Sequence, residues 1–306
     1  MNRLWKRVEI MALRTKIDSY DTGMNRVCDY IYENLDEDLS VEHLSQFAGF
    51  SKYHFHRQFS DYFGVGIFRY IQLLRLKRAS YRLYFNPDAK IIDIALDAKF
   101  DYPESFSRAF KKAFDQSPSE FRRQAHWVSW NEKYQFGGSK MDKKHQAEHL
   151  EARVDIVNFT ETKIAVFEHR GAPELVNESA GKFIKWRKQT GLSPVAKSQT
   201  FGLIYEDPKS VPADKFRFDI AGSVLHEVPD NASGIINKTI PAGRCAVIRH
   251  LGSHEGLDTK IHYLYGQWLP ESGESLRDFH CFFHYQNFFP EVAEHELITD
   301  IYLPLV

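Results

Sequence analysis

Arg57 and Arg108 stand 51 residues apart in stretches of matching pattern. An arginine can donate two parallel hydrogen bonds to guanine in a DNA major groove, and a glutamate such as Glu104 can accept from cytosine N4. Lys52, Lys111 and Lys112 are suited to neutralising phosphates, a contact that positions a protein without reading sequence. Three- and four-residue spacing gathers Phe55, Phe59, Tyr62 and Phe63 on one helix face. Tyr53 and Arg57 are thereby turned to the other side, with Lys52 in the first turn and His56 on the flank. In the second stretch Phe106, Phe110, Ala113 and Phe114 make the buried stripe and leave Glu104, Arg108, Lys111 and Lys112 outward. Any one of these charges also reads as an ordinary solvated side chain; an outward Arg at the same place in both copies points to a polyanion.

The elements that would hold these residues repeat. At an offset of 50 to 51 residues, Val41, Leu44, Ala48 and Phe50 match Ile91, Ile94, Ala98 and Phe100, and the match continues through Phe121. Each copy reads as a short helix, a tight turn and a second helix. Ser40 is placed to cap the first helix, Gly49 to close it in a left-handed conformation, and Ser51 to cap the next. Between the copies, Ile67–Phe85 has helical periodicity without Gly or Pro and stops before Asn86-Pro87. At 1.5 Å per residue it spans about 28 Å, enough to hold two recognition helices near one duplex turn apart, ~34 Å. From Ser51 to Arg82 seven cations face only Asp61, a local +6.

The whole chain of 306 residues is 43% hydrophobic and 26% charged, which suits two globular domains and excludes general disorder. No stretch reaches the ~18 apolar residues of a spanning helix, and the first twenty residues lack an apolar core, so a cytoplasmic location is expected. Cys28, Cys245 and Cys281 are too scattered for a disulfide framework or a metal site. A polar run following Gly137 and Gly138 reads as a linker, giving expected boundaries of 20–126, 127–149 and 150–306. The first part is predicted all-α, with two helix-turn-helix units joined by a long helix; the last is predicted α+β.

That last part repeats too, at an offset of about 81, with 164–171 (IAVFEHRG) opposite 245–252 (CAVIRHLG) and Asp219 opposite Asp300. Each copy reads as β-α-β-β, two of them forming a pseudo-twofold domain with a cleft. Trp186, Tyr205, Tyr263, Tyr265, Trp268, Phe282, Phe283 and Tyr285 supply more aromatic surface than such a domain needs, which suits a small-molecule site as well as a core. Fourteen histidines give no metal-binding spacing, and neither GxSxG, Walker A nor HExxH occurs. No catalytic residue, metal or cofactor is expected, and the chain reads as a non-enzyme.

The residues LSQFAGFSKYHFHRQFSDYFG, YIQLLRLKRASYRL and IIDIALDAKFDYPESFSRAFKKAFDQSPSEFRR resemble the DNA-binding domain of the AraC/XylS family over about Met24 to Arg123. The resemblance implies base-reading positions at Tyr53, His56 and Arg57 and at Glu104, Ser107 and Arg108. Lys99 and Asp115 depart from the family by standing where glycine is usual. The stretches TFGLIYEDP, IPAGRCAVIRHLGSHEGL, WLPESG and TDIYLPL resemble the GyrI-like effector-binding domain, and the domain order is similar to that of Rob-type regulators. Many GyrI-like members carry a pocket Glu where this chain has Phe283, which moves the expected ligand from a cation toward a neutral or weakly polar aromatic or amphipathic molecule. Glu206, beside Tyr205, is the alternative carboxylate. The resemblance implies a transcription regulator, an activator, whose partners are double-stranded promoter DNA, RNA polymerase and a small effector. A protein-docking module or a small-molecule hydrolase are the competing readings of the second half.

Overall fold

A computed structural model describes residues 23–24, 26–134, 153–289 and 291–306, without the side chains of Lys52, Tyr53, Tyr134 and Glu255. Two compact units emerge, the second of which takes in Tyr84–Pro87 and Arg122–Asn131 besides the residues from 153 onward. No helix among the described residues is long and apolar enough to cross a membrane.

In the first unit a helical stretch at 26–33 leads to α1 (Val41–Phe47), α2 (Lys52–Phe63), α3 (Ile67–Phe85), α4 (Ile91–Asp97), α5 (Pro103–Phe114) and α6 (Pro118–Arg123). The duplication is visible in the turns. Gly49 N–H reaches the Gln46 carbonyl at 3.0 Å and Lys99 N–H reaches that of Leu96 at 2.9 Å. Phe50 N–H bonds Ser45 in one copy, and Phe100 N–H bonds Ala95 in the other. The Ser40 hydroxyl accepts from His43 N–H at 3.2 Å, as expected. Ser51 occupies the cap position of α2, but its side chain makes no capping bond. Phe55, Phe59, Phe106, Phe110 and Phe121 are fully buried, each contributing on the order of 2 kcal/mol through the area taken from water.

Lys99 and Asp115 hold φ of 60° and 57° where the first copy has Gly49 and Gly64, both at 72°. Asp115 is engaged by Lys133, whereas Lys99 carries the steric cost of a Cβ in the left-handed region, ~1 kcal/mol. Lys99→Gly is therefore expected to stabilise the chain by at most about 0.5 kcal/mol after glycine's entropic cost is subtracted, read as an unchanged or slightly raised urea midpoint.

The segment expected as a linker begins with a helix, α7 (Trp127–Tyr134). Trp127 and Trp130 are 2% and 3% exposed with ring centroids 5.4 Å apart, so apolar packing and not a polar run governs 127–134. Gly137, Gly138 and the polar run after them lie outside the described residues.

The second unit is one antiparallel sheet of eight strands: β1 (Val154–Phe159), β2 (Thr162–Arg170), β3 (Thr200–Ile204), β4 (Arg217–Ser223), β5 (Ile235–Ile240), β6 (Gly243–Leu251), β7 (Phe282–Tyr285) and β8 (Ile298–Pro304). They lie in the order β1-β6-β8-β7-β3-β4-β2-β5. Each half is thus β-β-α-β-β, and the expected β-α-β-β lacked its first strand. The strands missed, β1 and β5, are the sheet edges, with mostly exposed residues that show no apolar alternation. The helices are α8 (Val176–Thr190) and, in the other half, α9 (Leu257–Tyr263), which continues through Leu264–Trp268 in the wider π winding into α10 (Leu269–Ser272). Pro270 explains the widening: it lacks an N–H for the Gly266 carbonyl, and its ring would crowd that carbonyl in α geometry.

His250, His280 and His284 in this unit all have pKa values pushed down, in each case chiefly by burial. They stay neutral in the folded chain to lower pH than the ordinary histidine near 6.5. Below about pH 6.5 the unfolded chain binds these protons first, so stability falls as pH drops toward the folded values. Urea unfolding at pH 5 should give a lower midpoint than at pH 7.5, and His284→Phe should flatten that dependence.

Candidate functional site

In the first unit α2 and α5 each bury an aromatic stripe and leave the opposite face in solvent. His56, Arg57, Glu104, Arg108, Lys111 and Lys112 are exposed, and Ser107 is half-buried. Arg57 has 87% of its side chain exposed, with a loose 3.9 Å approach to Asp61 one turn on. Among the described residues Arg108 makes only a long 3.4 Å contact to Ser105. Lys52 and Tyr53 lie on α2, and their side chains are outside the description. Both arginines are free to meet an external acceptor at little cost in internal bonds.

The local +6 does not form one anion-facing surface. On α3, Arg78 is bonded to Asp36 and Arg82 to Asp97. Arg75 donates to the carbonyls of Leu35 and Glu37, and Lys77 is 1% exposed. The central helix packs on both sides, so its cations are spent on the neighbouring segments, and the outward charge rests with α2 and α5.

In the second unit the structure brings together Trp186, Tyr263, Trp268, Phe283 and Tyr285, all in the core cluster that contains residues of α8 and α9. Phe183 and Trp186 stack at 5.5 Å on α8, Phe218 and Phe283 lie 6.2 Å apart, and His254 meets Tyr285 at 5.0 Å. Gly202, midway along β3, makes this possible: a Cβ there would stand 2.5 Å from the Phe218 ring and 2.8 Å from the Tyr285 hydroxyl. Burial raises the Tyr285 pKa, and its hydroxyl has no hydrogen-bond partner among the described residues. Phe183, Gly202, Phe218 and His254 escaped the sequence reading because only strand register and chain folding bring them here.

Tyr205 and Glu206 are elsewhere, as are Phe282, fully buried in the cluster on the other sheet face, and Tyr265, which is exposed. Ile204 packs with the helix-side core while Tyr205 packs with the cluster on the other sheet face. In the 81-residue repeat Tyr205 falls one residue out of step with Tyr285, and one residue in a strand changes the face. Tyr205 donates to Asp219 at 2.5 Å, beneath Arg217 at 4.8 Å from its ring. Glu206 accepts from the Arg217 backbone N–H at 3.1 Å and pairs with its guanidinium. Asp219 is fully buried and also receives Lys238 at 2.6 Å and Arg170 at 3.2 Å. This is an internally satisfied ionic network, with no carboxylate left for a ligand.

No group of three or more potential metal ligands occurs among the described residues, and all three cysteines are buried and free.

Comparisons with known proteins agree with both halves. The GyrI-like small molecule binding domain matches residues 152–306, and a helix-turn-helix domain matches 44–124. A probable transcriptional regulator, YgiV of Escherichia coli strain K12, is 45% identical over 152 residues, which are 50% of this chain and 95% of YgiV. The transcriptional regulator Rob of Salmonella typhimurium is 39% identical over 97 residues, 32% of this chain and 33% of Rob. Among solved structures, the EcmrR C-terminal domain aligns over 51% of this chain and 98% of its own at 17% identity, with a TM-score of 0.42. The chain belongs to the GyrI-like small-molecule-binding family and carries an AraC-type helix-turn-helix DNA-binding domain ahead of that domain.

Proposed function

We propose that this chain is a ligand-responsive transcription regulator, an activator acting in the cytoplasm on promoter DNA and RNA polymerase. The observation that carries the reading is the duplicated outward arginine: Arg57 and Arg108 are solvent-exposed at matching places on α2 and α5. Arg57, Arg108 and Glu104 read bases, with Tyr53, His56 and Ser107 beside them, and Lys52, Lys111 and Lys112 hold phosphates. The domains divide near 20–126 and 150–306.

The effector site is the aromatic cluster of Trp186, Tyr263, Trp268, Phe283 and Tyr285. Replacing each strand βn by its counterpart four places on reproduces the sheet order read backwards, which supports a pseudo-twofold domain whose axis passes between β3 and β7. The cluster sits over that central pair. Trp186 and Phe283 are 3% and 4% exposed, so entry of a ligand requires side chains to move. Phe283 offers no counter-charge, so the ligand is a neutral or weakly polar aromatic molecule that bonds the Tyr285 hydroxyl. It alters DNA occupancy only by preferring one conformational state of the chain.

Thermal shift of the full chain tests this with tetraphenylphosphonium and triphenylphosphine oxide as matched probes. Stabilisation by the neutral oxide, reduced in Tyr285→Phe, is the expected result; preference for the cation overturns the ligand class. Gel shift on genomic fragments with and without the oxide then reads the coupling.

A further inference from the structure

We infer that the first unit holds a second ligand site, for a small aryl carboxylate, in the cavity between its two helix-turn-helix copies. The cavity opens to solvent and has a volume of about 190 Å³, room enough for one aromatic ring with its carboxylate toward the polar lining. Its apolar walls are Leu39 from the segment before α1, Phe68 and Ile71 from α3, and Ala98 and Phe100 from the turn between α4 and α5. A single aromatic ring fits such walls.

The polar lining is one-sided. Three polar side chains line the cavity, Gln72, Arg75 and Lys99, and each has a donor left over. The Gln72 carbonyl oxygen already accepts from Arg69 at 2.6 Å, which leaves its amide N–H groups. Arg75 spends Nε on the Leu35 carbonyl and Nη2 on that of Glu37, both at 2.9 Å, which leaves Nη1. The Lys99 ammonium makes no hydrogen bond among the described residues. No carboxylate lines the cavity, and Asp36, near enough to feel Lys99, is already bonded to Arg78. Burial and the neighbouring Arg78 lower the Arg75 pKa, more than Asp38 and Asp36 raise it, so an anion in the cavity would be favoured beside it.

The duplication supplies an internal control. The first copy builds the same turn with Gly49, while the second keeps a lysine at φ 60°. Backbone strain of this kind persists where the side chain has a task. A carboxylate held by Lys99, Gln72 and Arg75 gives it one. The bound anion would tie the α4–α5 turn to α3, fixing one copy against the other and changing how both recognition helices meet DNA.

The test is calorimetric titration of the full chain with benzoate, its neutral isostere benzamide serving as control. Benzoate should bind and benzamide should not, and Lys99→Gln, which keeps the strain and removes the charge, should weaken benzoate by tenfold or more. Lys99→Gly should weaken it equally while unfolding at no lower a temperature, so that the loss does not come from misfolding. Benzoate binding unchanged in both variants places it elsewhere and overturns the inference while leaving the aromatic site of the second unit untouched. Equal binding of benzamide, or no binding at millimolar concentration, overturns it as well.

Discussion

Alanine at Arg57 or Arg108 is expected to weaken binding to a specific fragment by ~1 to 3 kcal/mol, roughly five- to more than a hundredfold, with the fold intact. Both side chains project from α2 and α5, and neither is held by a close ion pair. Their removal costs only these loose, exposed contacts, and alanine favours the helix. The effect should appear as lost discrimination between specific and random DNA. Lys111→Ala should instead weaken all sequences alike and lower the salt slope by about one. Arg82→Ala is the informative contrast, because its guanidinium is bonded to Asp97, and its loss should change stability before specificity. Gel shifts on a specific and a scrambled fragment at two salt concentrations, with circular dichroism of each variant, separate these outcomes. Unchanged specific binding in both Arg57→Ala and Arg108→Ala would remove them from the interface.

The largest expected loss of stability comes from Lys238→Met. Glu168 and Asp219 stand directly opposite each other on β2 and β4, an unfavourable pairing of like charges. Lys238 from β5 resolves it by placing its ammonium 2.6 Å from both carboxylates, and Asp219 is fully buried. Burial opposes the charge on Lys238, yet the bonds to Asp219, Glu168 and Tyr205 together hold its pKa above the ordinary lysine value. Methionine keeps the length and removes the charge, leaving a buried carboxylate facing another. Breaking such a pair from one side costs about 3 kcal/mol, a fall of ~1 to 2 M in urea midpoint. Arg170, which reaches Glu168 at 2.8 Å as well as Asp219 at 3.2 Å, and the Tyr205 hydroxyl on Asp219 remain and keep the loss from being larger. Adding Glu168→Gln to Lys238→Met should recover part of it. A double variant no more stable than the single would mean that the opposed charges are not what Lys238 relieves.

The same network shows where reading residues in order loses its hold. Tyr205 follows the last residue of β3 and Tyr285 ends β7, so in the linear sequence the two tyrosines stand at similar places in the two repeats. The pairing of β3 with β7 puts Thr200, not Tyr205, opposite Tyr285, and Tyr205 turns to the far face. Nothing local distinguishes the two faces of a strand whose residues are apolar on both sides, as Phe201 and Leu203 are on one and Ile204 on the other. The cations of α3 misled in a similar way: their number is written in the chain, but their partners, Asp36 and Asp97, lie beyond the helix at either side.

What the sequence by itself determined is the helix-turn-helix pair: the aromatic stripes, the Ser40 cap, the left-handed turns at Gly49, Lys99 and Asp115, and α3 from Ile67 to Phe85. These depend on neighbours three and four residues away, so a linear pattern contains them. Only the tertiary structure decided the strand order, the edge strands β1 and β5, the closing of Phe183, Gly202, Phe218 and His254 around Tyr285, and the pairing of Asp219 with Lys238. Those contacts join residues far apart in the chain, and their register is set by which faces the assembled sheet can bury.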